Sequence, residues 1–159
     1  MTEPTDAPRV FLVVVDETAE MQVALRFACR RARHTGGRVA LLHVIEPGDP
    51  QPFRQVAELM LAERRADAEA LMRKLSSDAL ELSGQLPVVH LRDGFRAEQL
   101  LRLIAEEPAI SILVLAAGTG SEGPGPLIGQ LVGRLSGKLR VPITVVPGAL
   151  SDAEIDILA

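Results

Sequence analysis

A glycine- and proline-rich loop is the part of this sequence best suited to chemistry. It reads GTGSEGPGP, follows the apolar run ISILVLAA and precedes the helical pattern LIGQLVGRLSGKL. Loops that leave the carboxyl end of a strand just before a helix usually hold phosphates or other anions in α/β sheets. Gly118, Thr119, Gly120 and Ser121 offer backbone amides and hydroxyls to such a ligand. The loop therefore predicts a site for a small anion or a monophosphate.

Two better-known phosphate motifs are incomplete here. Residues 118–123 spell G-x-G-x-x-G directly after a strand, but Pro124 and Pro126 interrupt the place where a helix should begin. No acidic residue follows at the distance that a ribose hydroxyl requires. Residues 133–138 resemble part of a P-loop, yet this stretch is one residue short and lacks the following Ser or Thr. A dinucleotide site and a P-loop are both disfavoured.

Catalytic and metal-binding patterns are not evident in the sequence. No nucleophile, base and orienting residue can be assembled from spacing, and His34, His43 and His90 are scattered singly. His43 and His90 lie in predicted strands, where a structural role is the simpler interpretation. Paired metal ligands at a known spacing are also missing. The sequence therefore predicts no catalytic residue and no metal site.

Composition and charge exclude several classes of protein. The chain has 159 residues, 47% of them apolar and 24% charged, which is typical of one globular domain. A net charge of −4 and the lack of Trp and Tyr argue against nucleic-acid binding. Cys29 has no partner for a disulfide, and no apolar run is long enough to span a membrane. We expect a cytoplasmic protein with neither nucleic acid nor membrane as a partner.

Short apolar runs alternate with helical patterns along the chain. The predicted strands cover residues 10–15, 38–44, 86–91, 110–117 and 141–146, and the predicted helices follow each of the first four strands. Such alternation predicts parallel strands joined by right-handed crossovers. The expected fold class is α/β, an open, doubly wound, five-stranded parallel sheet in three layers.

In such a sheet, ligands lie outside the carboxyl ends of the strands, near the point where strand order reverses. Asp16 follows the first strand, Val44 ends the second and Gly94 follows the third. We therefore expect these residues and the glycine loop to lie along one edge of the sheet.

Two weaker patterns lie in the helices. The polar side of the first helix carries Arg26 and Arg30, which is most simply a solvated face. Gly129, Gly133 and Gly137 recur every four residues, so a continuous fourth helix would carry them on one face. Close packing against that face is the interpretation that we favour over a ligand.

Over nearly its whole length the chain resembles the universal stress proteins. The matching features are VVVDET after the first strand, LLHVIEP at the second, Gly94, ILVLAAGTG at the fourth, and Gly129 followed by VPITVV. The resemblance implies a Rossmann-like fold of the adenine nucleotide alpha-hydrolase type. It also implies a domain over residues 9–148, between a flexible N-terminus (1–8) and a C-terminal tail (149–159).

The loop departs from the motif G-x2-G-x9-G-(S/T) of the members that bind ATP. Counting back from Gly129 places Ala116 and Thr119 where the first two glycines should be, and Gln130 replaces the final hydroxyl residue. Choosing Gly120 as the second glycine leaves eight intervening residues, one too few. The resemblance therefore implies a degenerate ATP-binding loop.

The family also has an aspartate that faces adenine, and Asp16 matches it. Glu17 follows directly, and its charge would repel a polyphosphate if the side chain points inward. The nucleotide or anion site implied by the resemblance comprises Asp16, Val44, Gly118, Thr119, Gly120, Ser121, Gly129 and Gln130.

The sequence thus predicts a non-enzymatic stress-response module of bacterial type, for binding or signalling, in which ATP is disfavoured as a ligand. In this family the final strand, here residues 141–146, commonly pairs with its copy, so we expect a homodimer. The tail, with Ser151 as a cap before Ile155, is expected to dock as a short helix over that strand. An adenine nucleotide sensor for ATP, ADP or AMP that uses loop 116–130 is the alternative, and a small-molecule hydrolase is the second alternative.

Overall fold

A computed structural model of the protein describes residues 7–121 and 123–159. Most of the N-terminus that we expected to be flexible lies outside these ranges. The strands are β1 (Val10–Val15), β2 (Arg38–Ile45), β3 (Val88–Asp93), β4 (Ile110–Ala117) and β5 (Ile143–Pro147). The helices are α1 (Glu20–Thr35), α2 (Arg54–Ser83), α3 (Arg96–Glu106), α4 (Pro126–Val132) and α5 (Asp152–Leu158).

The five strands form one sheet in the order β3-β2-β1-β4-β5, and every neighbouring pair is parallel. This confirms the predicted open, doubly wound α/β architecture. The chain leaves β1 for β2 on one side, while β4 lies on the other side of β1. Strand order therefore reverses between β1 and β4, which is where a ligand is expected in such sheets.

Two cores cover the two faces of the sheet, because successive side chains of a strand point to opposite faces. Along β1, Phe11, Val13 and Val15 pack against α1 and α2, whereas Leu12 and Val14 pack against α3 and α4. All five side chains are buried. A continuous apolar run such as VFLVVV is thus explained by a strand that is covered on both sides.

The connection between β4 and β5 corrects our prediction of a continuous fourth helix. Helix α4 ends at Val132, and a separate 3₁₀ turn follows at Ser136–Lys138. Each glycine in a helix costs about 1 kcal/mol relative to alanine, which disfavours propagation through three of them. A Cβ atom built on Gly129 or Gly137 would meet nothing within 4 Å. The predictions of a single glycine face and of close packing against it were therefore wrong.

Helix α5 begins with a capping box, in which Glu154 N donates to Ser151 Oγ and Ser151 N donates to Glu154 Oε1. It packs against α1 and not over β5, contrary to our expectation. Helix α5 packs there because this position removes the apolar side chain of Ile155 from water, and Ile155 is fully buried. The tail therefore packs mainly on α1, and Val145 of the edge strand β5 remains 41% exposed.

A pair of arginines on α1 holds α5 in place. Arg26 Nη2 donates to Asp156 Oδ2 at 2.8 Å, and Arg30 Nε donates to Asp156 Oδ1 at 2.9 Å. The hydrogen bond from Arg26, supported by that from Arg30, lowers the pKa of the Asp156 carboxyl. These arginines form an interhelical contact, so our interpretation of them as a purely solvated face was wrong.

None of the helices in residues 7–121 and 123–159 combines the length and apolar character that spanning a lipid bilayer requires.

Candidate ligand-binding site

A cavity of about 480 Å³ lies at the point where strand order reverses. Its walls come from the carboxyl ends of β1 and β4, the first turns of α1 and the loop before α4. The lining includes Val14, Asp16, Glu20, Leu115, Gly118 and Arg96. The edge predicted from strand polarity is therefore hollow, and the glycine loop forms one wall.

A second cavity of about 380 Å³ adjoins the first on the side of β2 and α2. The two share Asp16, Thr18 and Arg96, so these three side chains stand where the cavities meet. His43 and Val44 of β2 line only the smaller cavity. We refer to the two cavities together as the cleft.

Asp16 is placed by a turn at the end of β1. Its Oδ1 atom accepts hydrogen bonds from the backbone N–H and the hydroxyl of Thr18, and the N–H bond is 2.9 Å long. Asp and Asn often stabilise a turn in this way. Within the described residues, the second carboxylate oxygen, Oδ2, has no donor, which leaves it available as an acceptor in the cleft.

His43 offers another acceptor in the smaller cavity. Its Nδ1 atom lies 2.9 Å from the carbonyl oxygen of Val15. Because a carbonyl can only accept, Nδ1 donates here and the neutral ring keeps Nε2 as an acceptor. Val44 beside it is 2% exposed and supplies an apolar wall.

Some of the backbone amides of the glycine loop donate to carbonyl groups of the same loop. Gly118 N donates to the carbonyl of Pro124 at 3.1 Å, and Gly123 N donates to that of Gly120 at 3.2 Å. Gly123 has a φ of 85°, a conformation that favours glycine. Among the described residues, no hydrogen bond uses the amides of residues 119–121, which can therefore donate to an anion.

The structure divides the predicted site residues into two groups. Asp16, Val44, Gly118, Gly120 and Ser121 line the cleft, whereas Thr119, Gly129 and Gln130 are exposed and line neither cavity. Gly129 lies inside α4, where its amide donates to the carbonyl of Gly125. The positions that match the end of the family's phosphate motif thus lie outside the lining of the cleft.

Glu20 is a cleft residue that sequence reasoning missed. It is the first residue of α1, and its Oε1 atom would lie 3.1 Å from a Cβ atom built on Gly118. The carboxylate therefore lies against the first glycine of the loop. Glu17, which we had considered instead, is exposed and lines only the smaller cavity.

Arg96 is the second missed residue, and its position depends on Gly94. Gly94 has a φ of 135° and donates its N–H to the carbonyl of Ile45 at 3.1 Å, so the chain turns back at the sheet edge. Helix α3 then begins at Arg96, which lines both cavities. Its Nη2 atom lies 3.7 Å from Glu46 Oε1, and its buried Nε atom has no hydrogen-bond partner in the part of the chain that the structure describes.

The larger cavity carries more negative than positive charge. Asp16 and Glu20 contribute carboxylates, and Arg96 contributes the lining's guanidinium. Repulsion between like charges is stronger in a partly buried cleft than in bulk water. A ligand with several negative charges is therefore disfavoured, and repulsion falls with each negative charge that a ligand lacks. Across residues 7–121 and 123–159, no three His, Cys, Asp or Glu side chains form a group that could hold a metal ion.

Comparison with known proteins places these observations in a family. The model of the universal stress protein family matches residues 8–147. Universal stress protein UspA from Lactobacillus plantarum is 18% identical, with 90% of this chain and 99% of that chain covered and a TM-score of 0.73. A search of the curated proteins finds no match.

Two further structures are described as nucleotide complexes. A universal stress protein in complex with cAMP is 15% identical over 91% of this chain and 100% of its own, with a TM-score of 0.62. The universal stress protein from Archaeoglobus fulgidus in complex with dAMP is 20% identical, with 87% of this chain and 96% of that chain covered and a TM-score of 0.54. At these identities the similarity shows a shared Rossmann-like fold.

Proposed function

This chain belongs to the universal stress protein family, and we propose that it is a non-enzymatic binding and signalling module whose cleft recognises an adenine nucleotide. We further propose that it works as a homodimer in the cytoplasm, where its single cysteine needs no partner.

The observation that carries the proposal is the composition of the smaller cavity. Val44 supplies an apolar wall, while Asp16 Oδ2 and His43 Nε2 supply acceptors beside it. The lining is mixed, since Val44, Ile45, Ala68 and Leu71 are apolar, whereas Asp16, Glu17, Glu46, Asp67, Arg64 and Arg96 are charged. An apolar wall beside placed polar groups is typical of small-molecule sites. The carboxylate of Asp16 suits the amino group of adenine, and the cAMP and dAMP complexes of two family members support the same ligand class.

We expect adenine nucleotides to bind in titration calorimetry, and Asp16→Asn to weaken them about tenfold through loss of a charge-assisted hydrogen bond. Asparagine retains the oxygen that accepts from Thr18, so the turn at the end of β1 should persist. GMP is the control ligand for AMP. Guanine presents a carbonyl oxygen, which cannot donate to the Asp16 carboxylate, where adenine presents its amino group.

Asp78→Asn is the control variant, since this residue lies on α2 outside both cavities. It should bind AMP as the wild type does. The proposal is wrong if neither adenosine nor any adenine nucleotide binds below about 1 mM, a limit that corresponds to about 4 kcal/mol of binding free energy.

The non-enzymatic part of the proposal rests on the state of the candidate nucleophiles. Cys29 is fully buried, and burial raises the pKa of its thiol to about 12, so it is not a reactive thiolate at neutral pH. Asp16 is engaged in its turn through Oδ1. Turnover of a small ester or a nucleotide that is lost in Asp16→Asn or Ser121→Ala would instead establish the hydrolase alternative.

The homodimer part rests on the outer edge of the sheet. β5 is an edge strand, and Val145 at its centre is 41% exposed. An apolar edge of this kind can pair with another strand, and α5 packs mainly on α1. We propose that the edges of two copies pair there.

Val145→Glu should shift the protein from dimer to monomer in sedimentation velocity, because a charged side chain would be forced into the paired edge. Val89→Glu is a matched control on the opposite edge strand β3, where the valine is 42% exposed. A Val145→Glu protein with the same sedimentation coefficient as Val89→Glu and wild type contradicts an interface at β5.

A further inference from the structure

We infer that Glu20 and Arg96 set the number of phosphates that the cleft accepts, so that its ligands are adenine nucleotides with a single phosphate. This inference rests on the proposed function, since it concerns the same cleft. It goes further by assigning opposite roles to two side chains, of which Arg96 lines both cavities and Glu20 lines only the larger one.

The path runs from the smaller cavity to the glycine loop. A base held beside Val44 lies in the smaller cavity, and Arg96 stands where that cavity meets the larger one. The loop and Glu20 belong to the larger cavity alone. The first phosphate of a nucleotide would therefore meet Arg96, and the second and third would continue toward Glu20.

Arg96 lies beside one carboxylate but is incompletely hydrogen-bonded. Its Nε atom is buried without a hydrogen-bond partner among the described residues. Its Nη2 atom lies 3.7 Å from Glu46 Oε1, which is longer than a hydrogen bond. Buried donors of this kind are rare because they are costly, and a guanidinium matches the geometry of phosphate oxygens. Because the side chain as a whole is 30% exposed, one phosphate in the cleft would pair with the guanidinium, and a small shift of the side chain would let Nε donate to it as well.

Glu20 occupies the approach to the loop. Its Oε1 atom lies against Gly118, and its Cγ atom would lie 2.9 Å from a Cβ atom built on Gly148. The side chain is thus confined between two glycines. The amide of Gly118 is already used by the carbonyl of Pro124, so a phosphate there would gain no hydrogen bond from it. Repulsion by the Glu20 carboxylate is then offset only by the amides of residues 119–121.

The test is titration calorimetry of the full chain with adenosine, AMP, ADP and ATP, without added metal. We expect wild type to bind AMP about tenfold more tightly than ATP, and Glu20→Gln to remove this difference by raising the affinity for ATP. AMP affinity should change less than about twofold in the same variant. Glu81→Gln removes the same charge from an exposed position on α2 outside the cleft, and its ratio of AMP to ATP affinity should equal that of wild type.

Arg96→Gln should weaken AMP about 20-fold while leaving adenosine within about twofold, because the residue is assigned to the phosphate and not to the base. Arg96→Lys keeps the positive charge but loses the planar guanidinium with its paired donors. Its affinity for AMP should lie between those of Arg96→Gln and wild type. Arg102→Gln is the control on the same helix, where the arginine pairs with Glu98. Thermal melts of each variant confirm that it is folded.

Three results overturn the inference while the proposed function stands. They are a wild type that binds ATP as tightly as AMP, a Glu20→Gln variant with an unchanged ratio of affinities, and an Arg96→Gln variant that weakens adenosine and AMP equally. Failure of all four ligands to bind overturns both this inference and the proposed function.

Discussion

Replacing Ile155 with alanine is expected to lower the free energy of unfolding by about 3 kcal/mol, which is the usual cost of truncating a fully buried isoleucine. The side chain is 0% exposed between α5 and α1. A helix of only seven residues has little stability of its own. Its position therefore depends on Ile155 and on the hydrogen bonds from Arg26 and Arg30 to Asp156. Urea unfolding followed by far-ultraviolet circular dichroism measures the change without requiring a tryptophan.

Ile157 provides a matched control two residues further along the same helix. It is 83% exposed, so Ile157→Ala should change the free energy of unfolding by less than about 0.5 kcal/mol. Both variants remove the same atoms and gain the same helix propensity. Equal stabilities for the two would mean that α5 is not docked on α1 in solution.

The sheet could be predicted from the sequence because its signal is local. Val10 to Val15 form an unbroken apolar run, and the observed strand has the same bounds as the predicted one. Apolar runs of this kind identify strands that are buried on both faces, and alternation with helices predicts that they are parallel. Position at the end of a strand also placed Asp16 and Val44 at the edge that proves to be hollow.

The errors arose where a residue's environment is set by distant parts of the chain. Arg26 and Arg30 have the spacing of a solvated face, but their partner Asp156 is 130 and 126 residues away. Charge pattern within one helix contains no information about such a partner. The prediction of a continuous fourth helix was wrong for a different reason. The helical spacing of the sequence continues through Gly133, but glycine has a low helix propensity and α4 ends before this residue.

Glu20 and Arg96 show why the cleft was only partly predictable. Each is the first residue of a helix, and its role depends on where the preceding turn aims that helix. Gly94 makes this turn for α3, whereas the close approach of Gly118 and Gly148 confines Glu20. A charged residue in the first turn after a strand end is a signal that sequence reasoning could have used for both.

Gly148→Ala is expected to destabilise the protein by about 3 kcal/mol, at the upper end of the cost of inserting a methyl group into a packed region. A Cβ atom built on Gly148 would lie 2.2 Å from the carbonyl oxygen of Ala117. That oxygen belongs to the backbone and cannot rotate away. It also accepts the 3.1 Å hydrogen bond from Gly148 N that ties the end of β5 to the end of β4. The strands must therefore separate locally to admit the methyl group.

The same contact joins stability to the cleft, because the new Cβ atom would also lie 2.9 Å from Glu20 Cγ. Displacement of Glu20 would move its carboxylate relative to Gly118, so the ratio of AMP to ATP affinity should change together with stability. Gly137→Ala is the control, since a Cβ atom there meets nothing within 4 Å. It should be neutral or stabilising by up to about 1 kcal/mol. A Gly148→Ala protein as stable as Gly137→Ala in urea unfolding would show that the ends of β4 and β5 are not held this closely, and the confinement of Glu20 would then lose its structural basis.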